Sequence, residues 1–193
     1  MSNKYFPDEQ IGFNDIYFVR YMIERVARRL HQSNRYVVEH LGAEGLELQL
    51  SIAQTNHCLN LSQVEDEWIG EYRLTEGDVD VTNIDTRFTD KVPSPTQMGK
   101  VYARLIQSLD FSDNLVATIQ MVYESPVCDV IDNYNTGAYY GSDTRVSQWR
   151  FLTIFLSSSF IIFFTFSATK IVNFSHFSAV LYRLLHIPRR LSL

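Results

Sequence analysis

Arg35 and His40, in the run Arg35-Tyr-Val-Val-Glu-His40, have the Arg-x4-His spacing used by some compact helical ribonucleases. In such a pair the guanidinium holds a phosphate and the imidazole moves the proton of a ribose hydroxyl. Arginines and histidines are scattered over residues 20–40, so the spacing has little specificity, and a solvated helix face accounts for both side chains. His57-Cys58 sets a thiol beside an imidazole, but adjacent side chains on irregular backbone point apart and no orienting group is identifiable; a buried thiol next to a turn is the simpler expectation. Glu65, Asp66 and Glu67, with Glu71 one turn later, concentrate negative charge as an exposed face or a docking surface for a basic partner does. Tyr134, Asn135, Tyr139 and Tyr140 form an Asn/Tyr-rich run that either meets a partner or folds its rings over the core.

Metal and cofactor chemistry find no foothold in the pattern. Cys58 and Cys128 are 70 residues apart without a ligand spacing, and Asp78, Asp80 and Asp85 lack the spacing and terminal Glu of a calcium loop. No phosphate-cradling Gly loop, G-x-S-x-G elbow or H-E-x-x-H occurs. No metal, no cofactor and no assembled catalytic set is therefore expected.

The elements that must position these residues are helices. Ile16, Val19, Ile23, Val26, Ala27 and Leu30 recur at three- and four-residue intervals, with Asn14 or Asp15 as cap, and Arg20, Glu24, Arg25, Arg28 and Arg29 are read as the solvated faces, Glu24 and Arg28 being a favourable i,i+4 pair. Shorter helices follow over 34–41, closed by Gly42, and over 44–53. Ser62 with Glu65 reads as a capping box before Val64, Trp68, Ile69 and Tyr72. Residues 75–93 have no helical period and read as a long loop, with Val79, Val81 and Ile84 alternating as a short strand would. Ser94, Pro95 and Gln97 start a helix carrying Met98, Val101, Tyr102, Leu105 and Ile106; Ser112 opens another with Ile119, Val122 and Tyr123; Ser125-Pro126 begins the last, which Gly137 ends. The expected fold is all-α: a compact bundle of six or seven helices over residues 14–145, after an N-terminal extension of residues 1–13 and before a hydrophobic helical tail of residues 146–193.

Charge divides the chain at the same place. Residues 1–149 hold all 22 acids against 12 bases, a net charge of −10, whereas residues 150–193 hold five bases and no acid. The body should repel nucleic acid, and with only Arg35 as a cation between residues 34 and 53 it offers no basic recognition helix. Residues 151–169 are uncharged, about the 20 residues one membrane crossing takes, though broken by Ser and Thr and followed by Lys170. Membrane contact through 151–169 is one expectation, and an apolar tail that packs on the bundle or self-associates is the other. The first residues lack the apolar stretch of a secretory signal, and two cysteines without a framework fit a reducing compartment, so the body is expected to be cytoplasmic.

The segments Asp15-Ile-Tyr-Phe-Val-Arg-Tyr-Met-Ile-Glu24, Met98-Gly-Lys-Val-Tyr-Ala-Arg-Leu-Ile106 and Asp132-Asn-Tyr-Asn-Thr-Gly-Ala-Tyr-Tyr140 resemble a family of small bacterial helical proteins. The resemblance spans about residues 14–145 and stops before the tail. Members tend to be encoded beside a small ADP-ribosyltransferase-like protein, which implies a toxin–antitoxin module and no particular catalytic residue. Taken with the acidic body, the resemblance implies an antitoxin or immunity-type protein that neutralises a cognate toxin by binding. A ribonuclease-type toxin using Arg35 and His40, or a membrane-anchored accessory interaction protein, is the competing expectation.

Overall fold

A computed structural model of the chain describes residues 3–109, 114–137 and 139, all within a first compact unit of residues 1–158. Among them are seven α-helices and no strand: α1 (Phe13–Arg29), α2 (Asn34–Ser51), α3 (Ala53–Asn56), α4 (Leu61–Glu71), α5 (Pro95–Leu109), α6 (Leu115–Glu124) and α7 (Pro126–Asp132), followed by a 3-10 turn at Tyr134–Thr136. The all-α expectation holds. The tail of residues 146–193, with the apolar run 151–169, lies outside the described residues, as does the boundary near 145. Among the described residues no helix is long and apolar enough to cross a membrane.

Local chemistry explains the helix ends. α1 is capped two residues before the nearer expected cap, Asn14: Gly12 is the N-cap, and the Asp15 carboxylate reaches back to accept from the Gly12 N–H at 2.8 Å. Ser33 caps α2 by accepting from the Tyr36 N–H. α2 also joins the two short helices expected over 34–53 into one element broken at Gly42, whose φ of 61° is the left-handed conformation that favours glycine. α4 is capped by Asn60, not by Ser62, and Glu65 turns away to other partners. The reciprocal box at Ser94 and Gln97 forms as expected, with Ser94 N–H donating to Gln97 Oε1 at 2.8 Å and Gln97 N–H to Ser94 Oγ at 3.2 Å.

The core is organised on α1. Its buried Val19, Ile23, Val26 and Ala27 are the predicted stripe, and the helix packs most extensively against α5 and then α2, while α2 also packs on α6. At Gly99 the two main helices come so close that a Cβ would sit 3.0 Å from the Tyr21 backbone, so glycine there sets how tightly α5 lies on α1. The N-terminal extension is docked rather than free: Asn3 is buried and donates to the Ser51 carbonyl at 2.9 Å, and Lys4 pairs with Glu47 at 2.6 Å. Residues 75–93 contain no strand, so Val79, Val81 and Ile84 belong to the loop.

Arg20 and Glu24 do not belong to a solvated face. They are 0 % and 2 % exposed, and Arg28 and Arg25 are mostly covered. The α1 stripe is thus apolar over one arc and charged but buried over the next, because α5, α2, α4 and the turn after α7 enclose the helix on more sides than its apolar residues alone specify.

Candidate functional site

Glu24 is the centre of the densest polar arrangement in the described protein. Its Oε1 accepts from Arg28 Nε at 2.6 Å and from the Tyr134 hydroxyl, and its Oε2 accepts from Asn34 Nδ2 at 2.6 Å. Arg28 donates onward to the Tyr134 hydroxyl at 2.9 Å and to the Pro93 carbonyl at 2.8 Å, with its guanidinium 5.3 Å from the centre of the Tyr134 ring. The same Asn34 amide donates to Asp132 Oδ1 at 3.1 Å, where the Tyr102 hydroxyl also donates at 2.6 Å, and the Cys128 thiol donates to Asp132 Oδ2 at 3.3 Å. Residues from α1, α2, α5, α7 and the closing turn thereby meet in one chain of hydrogen bonds.

Electrostatics follow from burial. The Asp132 carboxyl is pushed up to about 7, first by desolvation and then by the neighbouring Glu24 carboxylate, although the hydrogen bonds from Tyr102, Cys128 and Asn34 pull the other way. Burial and the adjacent carboxylates likewise push the Cys128 thiol and the Tyr134 and Tyr102 hydroxyls upward. A thiol held protonated in this way is a poor nucleophile. A carboxyl titrating near 7 has the proton affinity of a general base, but the residue is half-buried and both its oxygens are occupied by protein donors. The arrangement can hold a proton and lock five elements together; it presents no group to a substrate.

The residues singled out from sequence fall in different places. Arg35 Nε donates to the Tyr123 carbonyl at 2.8 Å, and its Nη2 donates to the Ser125 carbonyl and to Asp129 at 2.9 Å. His40 is exposed, bonds through Nδ1 to the Tyr36 carbonyl at 2.8 Å and stacks on the Tyr36 ring. Five residues along a helix are about 140° apart around its axis, so the two side chains are directed to different neighbours and do not form one site. Arg35 serves instead as a clamp across the α6–α7 junction.

The acidic group of α4 is split. Glu65 is buried and bound by Arg25 and, at 3.2 Å, by Arg29, so it is not part of an exposed face; Asp66 pairs with Arg29 at 2.5 Å. Glu67 and Glu71 remain exposed. Of the Asn/Tyr run, Tyr134 and Tyr139 are buried with their rings edge to face, and Asn135 Oδ1 accepts from the Asp85 N–H at 2.7 Å; Tyr140 lies outside the described residues. Cys58 is exposed, contrary to the buried thiol expected there, while Cys128 is buried. Beside Cys58, His57 lies on the Phe18 ring at 4.1 Å and lines an open groove of about 510 Å³ at the start of α1, where Asp15 is already used as the Gly12 partner.

Sequence reasoning passed over the loop of residues 75–93 as a site. Its first part is fixed by Gly77 N–H to the Leu30 carbonyl and Val79 N–H to the His31 carbonyl, both at 2.8 Å, its middle by Asn135 and its end by Tyr139 donating to the Lys91 carbonyl at 3.1 Å and Arg28 to Pro93. Between these anchors Phe88 is 70 % exposed, with Val79 and Val92 also outward and Arg87 beside the Phe88 ring. The segment carries five acids against two bases. A loop of this length without secondary structure of its own was itself a signal, since such loops are uncommon in compact domains unless they bind something.

No family model, no curated protein and no solved structure matches the chain.

Proposed function

We propose that the chain is a protein-binding module of antitoxin or immunity type, which neutralises a cognate toxin by covering it rather than by chemistry of its own. The observation that carries this reading is the loop of residues 75–93, an acid-rich segment fixed at several points that holds a largely exposed Phe88 outward. An aromatic side chain already positioned loses little freedom on binding, and the surrounding carboxylates favour a basic partner and speed its approach. Glu67 and Glu71 add exposed negative charge on α4. The body's net charge of −10 over residues 1–149 disfavours nucleic acid as that partner. Following the resemblance, the toxin to test is the ADP-ribosyltransferase-like protein encoded alongside. Attachment to membranes through residues 151–169 is compatible with this role and is not needed for it.

The experiment is co-expression with the adjacent gene product, scored by growth and by direct binding of the purified partners. Phe88→Ser should weaken binding at least about tenfold, a typical cost for a central aromatic contact, and the association rate should fall as salt rises. Rescue and affinity unchanged by Phe88→Ser, with an association rate indifferent to salt, would remove the loop as the docking surface.

A further inference from the structure

The direction of the exposed Phe88 ring is set by the residues before it. Asp85 builds a turn around its own side chain: one carboxylate oxygen accepts from the Arg87 N–H at 2.9 Å, and its backbone carbonyl accepts from the Phe88 N–H at 2.9 Å. Both carboxylate oxygens also hold the Arg87 guanidinium, Nε at 3.0 Å and Nη2 at 2.5 Å, and that guanidinium lies 5.7 Å from the centre of the Phe88 ring. The bonds from Arg87 keep the Asp85 carboxyl below its ordinary range, so the clasp is closed near neutral pH.

All of these bonds lie within residues 85–88, so they give the turn its shape and leave its direction relative to the bundle open. The direction comes from outside. The Asp85 N–H donates to Asn135 Oδ1 at 2.7 Å, and among the described residues this is the hydrogen bond that ties the stretch between Val79 and Lys91 to the rest of the chain. Ile84 beside it is half-buried against the core, but an apolar contact is non-directional, whereas a hydrogen bond weakens steeply away from its axis. Asn135 can serve as a fixed point because its own backbone is held. It lies in the 3-10 turn Tyr134–Thr136, its N–H donates to Asn133 Oδ1 at 3.2 Å, and Gly137 closes the turn at a φ of 64°. Tyr134, the residue before it, is buried with its hydroxyl bound to Glu24 and Arg28.

We propose that Asn135 is a positioning residue for Phe88: through its bond to the Asp85 N–H it aims the turn of residues 85–88, and with it the Phe88 ring, at the partner. Its side-chain oxygen is used inside the chain, so Asn135 acts on binding through Phe88 and not by its own contact. The inference rests on the docking role proposed for the loop and adds to it the residue that presents the ring. A ring held in one direction loses less freedom on binding than one on a turn free to swing, and that difference is what Asn135 contributes.

The test compares the full chain with Asn135→Ala, which removes the acceptor, and Asn135→Asp, which keeps an oxygen in its place. One readout needs no partner: the rate of chymotrypsin cleavage after Phe88, with cleavage after Tyr5 as the reference. The other is affinity for the ADP-ribosyltransferase-like protein encoded alongside, measured in the parent and in the Phe88→Ser background. Cleavage of a segment that opens and recloses rapidly follows the population of its open form. Asn135→Ala should therefore be cut after Phe88 about fivefold faster and bind about fivefold more weakly, the value of one neutral hydrogen bond, while cleavage after Tyr5 is unchanged and Asn135→Asp restores both. Because Asn135 acts through Phe88, Asn135→Ala should cost no further affinity once Phe88 is replaced by Ser. If Phe88→Ser binds as the parent does, the docking role fails, and cleavage after Phe88 alone decides whether Asn135 holds the turn. Should Asn135→Ala fail to fold, hydrogen exchange of the parent's Asp85 amide decides: protection supports the bond, and exchange at the rate of an unstructured chain overturns the proposal. Cleavage after Phe88 unchanged by Asn135→Ala also overturns it, as does a loss of affinity equally large in the parent and in the Phe88→Ser background, or no loss at all where Phe88→Ser weakens binding.

Discussion

Gln49 and Glu24 are each 2 % exposed and each binds polar side chains from other elements, but the two surroundings are built differently. Gln49 Oε1 accepts from Trp68 Nε1 at 2.9 Å and from Asn56 Nδ2 at 3.1 Å, and its Nε2 donates to the Tyr72 hydroxyl at 2.9 Å. All three partners are neutral, and with Gln49 they lie within 23 residues of one another in the chain. Glu24 instead gathers Arg28, Asn34 and Tyr134, and through Asn34 reaches Asp132, over separations of up to 110 residues. A neutral cluster that satisfies its own donors costs little to bury and joins neighbours in sequence; a charged one must retain every member, because each removal leaves a charge or a donor stranded in the interior. The difference teaches that α2, α3 and α4 are assembled locally, whereas α1 and the closing turn are joined late in the chain by electrostatics.

The largest effect should come from breaking the charged cluster at its centre. Glu24→Ala leaves Arg28 without its carboxylate and the Tyr134 hydroxyl without an acceptor, and takes one of the two acceptors of Asn34, so urea unfolding should show a loss of about 3–5 kcal/mol. That is a large part of the stability of an ordinary domain. Gln49→Leu removes only neutral bonds, stranding the Trp68 indole N–H and the Asn56 amide, and should cost about 1–3 kcal/mol. A Gln49→Leu loss larger than that of Glu24→Ala would break the comparison.

A second difference is pH. Because the Asp132 carboxyl is pushed up to about 7, the folded chain holds a proton that the unfolded chain releases near the ordinary Asp value. The sign is then fixed: stability is greatest below the unfolded value and falls as pH rises through the folded one, by an amount on the order of 3 kcal/mol between about pH 4 and 8. Asp132→Asn should flatten that slope and be more stable than the parent at pH 8, since an amide keeps an oxygen for Tyr102 and Asn34 without the charge. Denaturation midpoints at four pH values measure it. A variant with the parent's slope would place the titrating proton elsewhere.

How far the sequence reveals this architecture depends on the range of the interaction. The Ser94–Gln97 box and the Gly42 break are set by neighbours within a few residues and appear where their motifs stand, whereas the last helix ends at Asp132, short of Gly137, which closes the 3-10 turn that follows. Arg20 is buried rather than solvated, and it lies four residues after Ile16 and three before Ile23, inside the apolar period itself. Periodicity puts it inward, and only the habit of assigning charge to water puts it outward. Glu65 failed similarly, because its partners Arg25 and Arg29 come from a helix 36–40 residues earlier. Asp132 and Tyr134 could not be joined to Glu24 at all without the tertiary fold. The docking loop was visible as a loop, but the outward Phe88 was not, since which of its apolar residues turn in is decided by anchors on α1, α2 and the turn after α7.

The smallest effect separates the buried acids from the exposed ones. Glu67 and Glu71 lie on α4 beside Glu65, yet Glu67 meets only Gln63 at 2.8 Å on the exposed side of the helix. Exchanging either for Gln removes an exposed charge from a body that already carries excess negative charge, so stability should change by no more than about 0.5 kcal/mol. Glu65→Gln, by contrast, withdraws the charge that Arg25 and Arg29 share and should be measurably less stable in the same urea series. If the exposed pair contributes to docking as proposed, the double exchange should also slow association with the basic partner at low salt while leaving the unfolding midpoint in place. Stability and association would then respond to different carboxylates of one short helix, a separation that fails if Glu67→Gln lowers the midpoint as much as Glu65→Gln does.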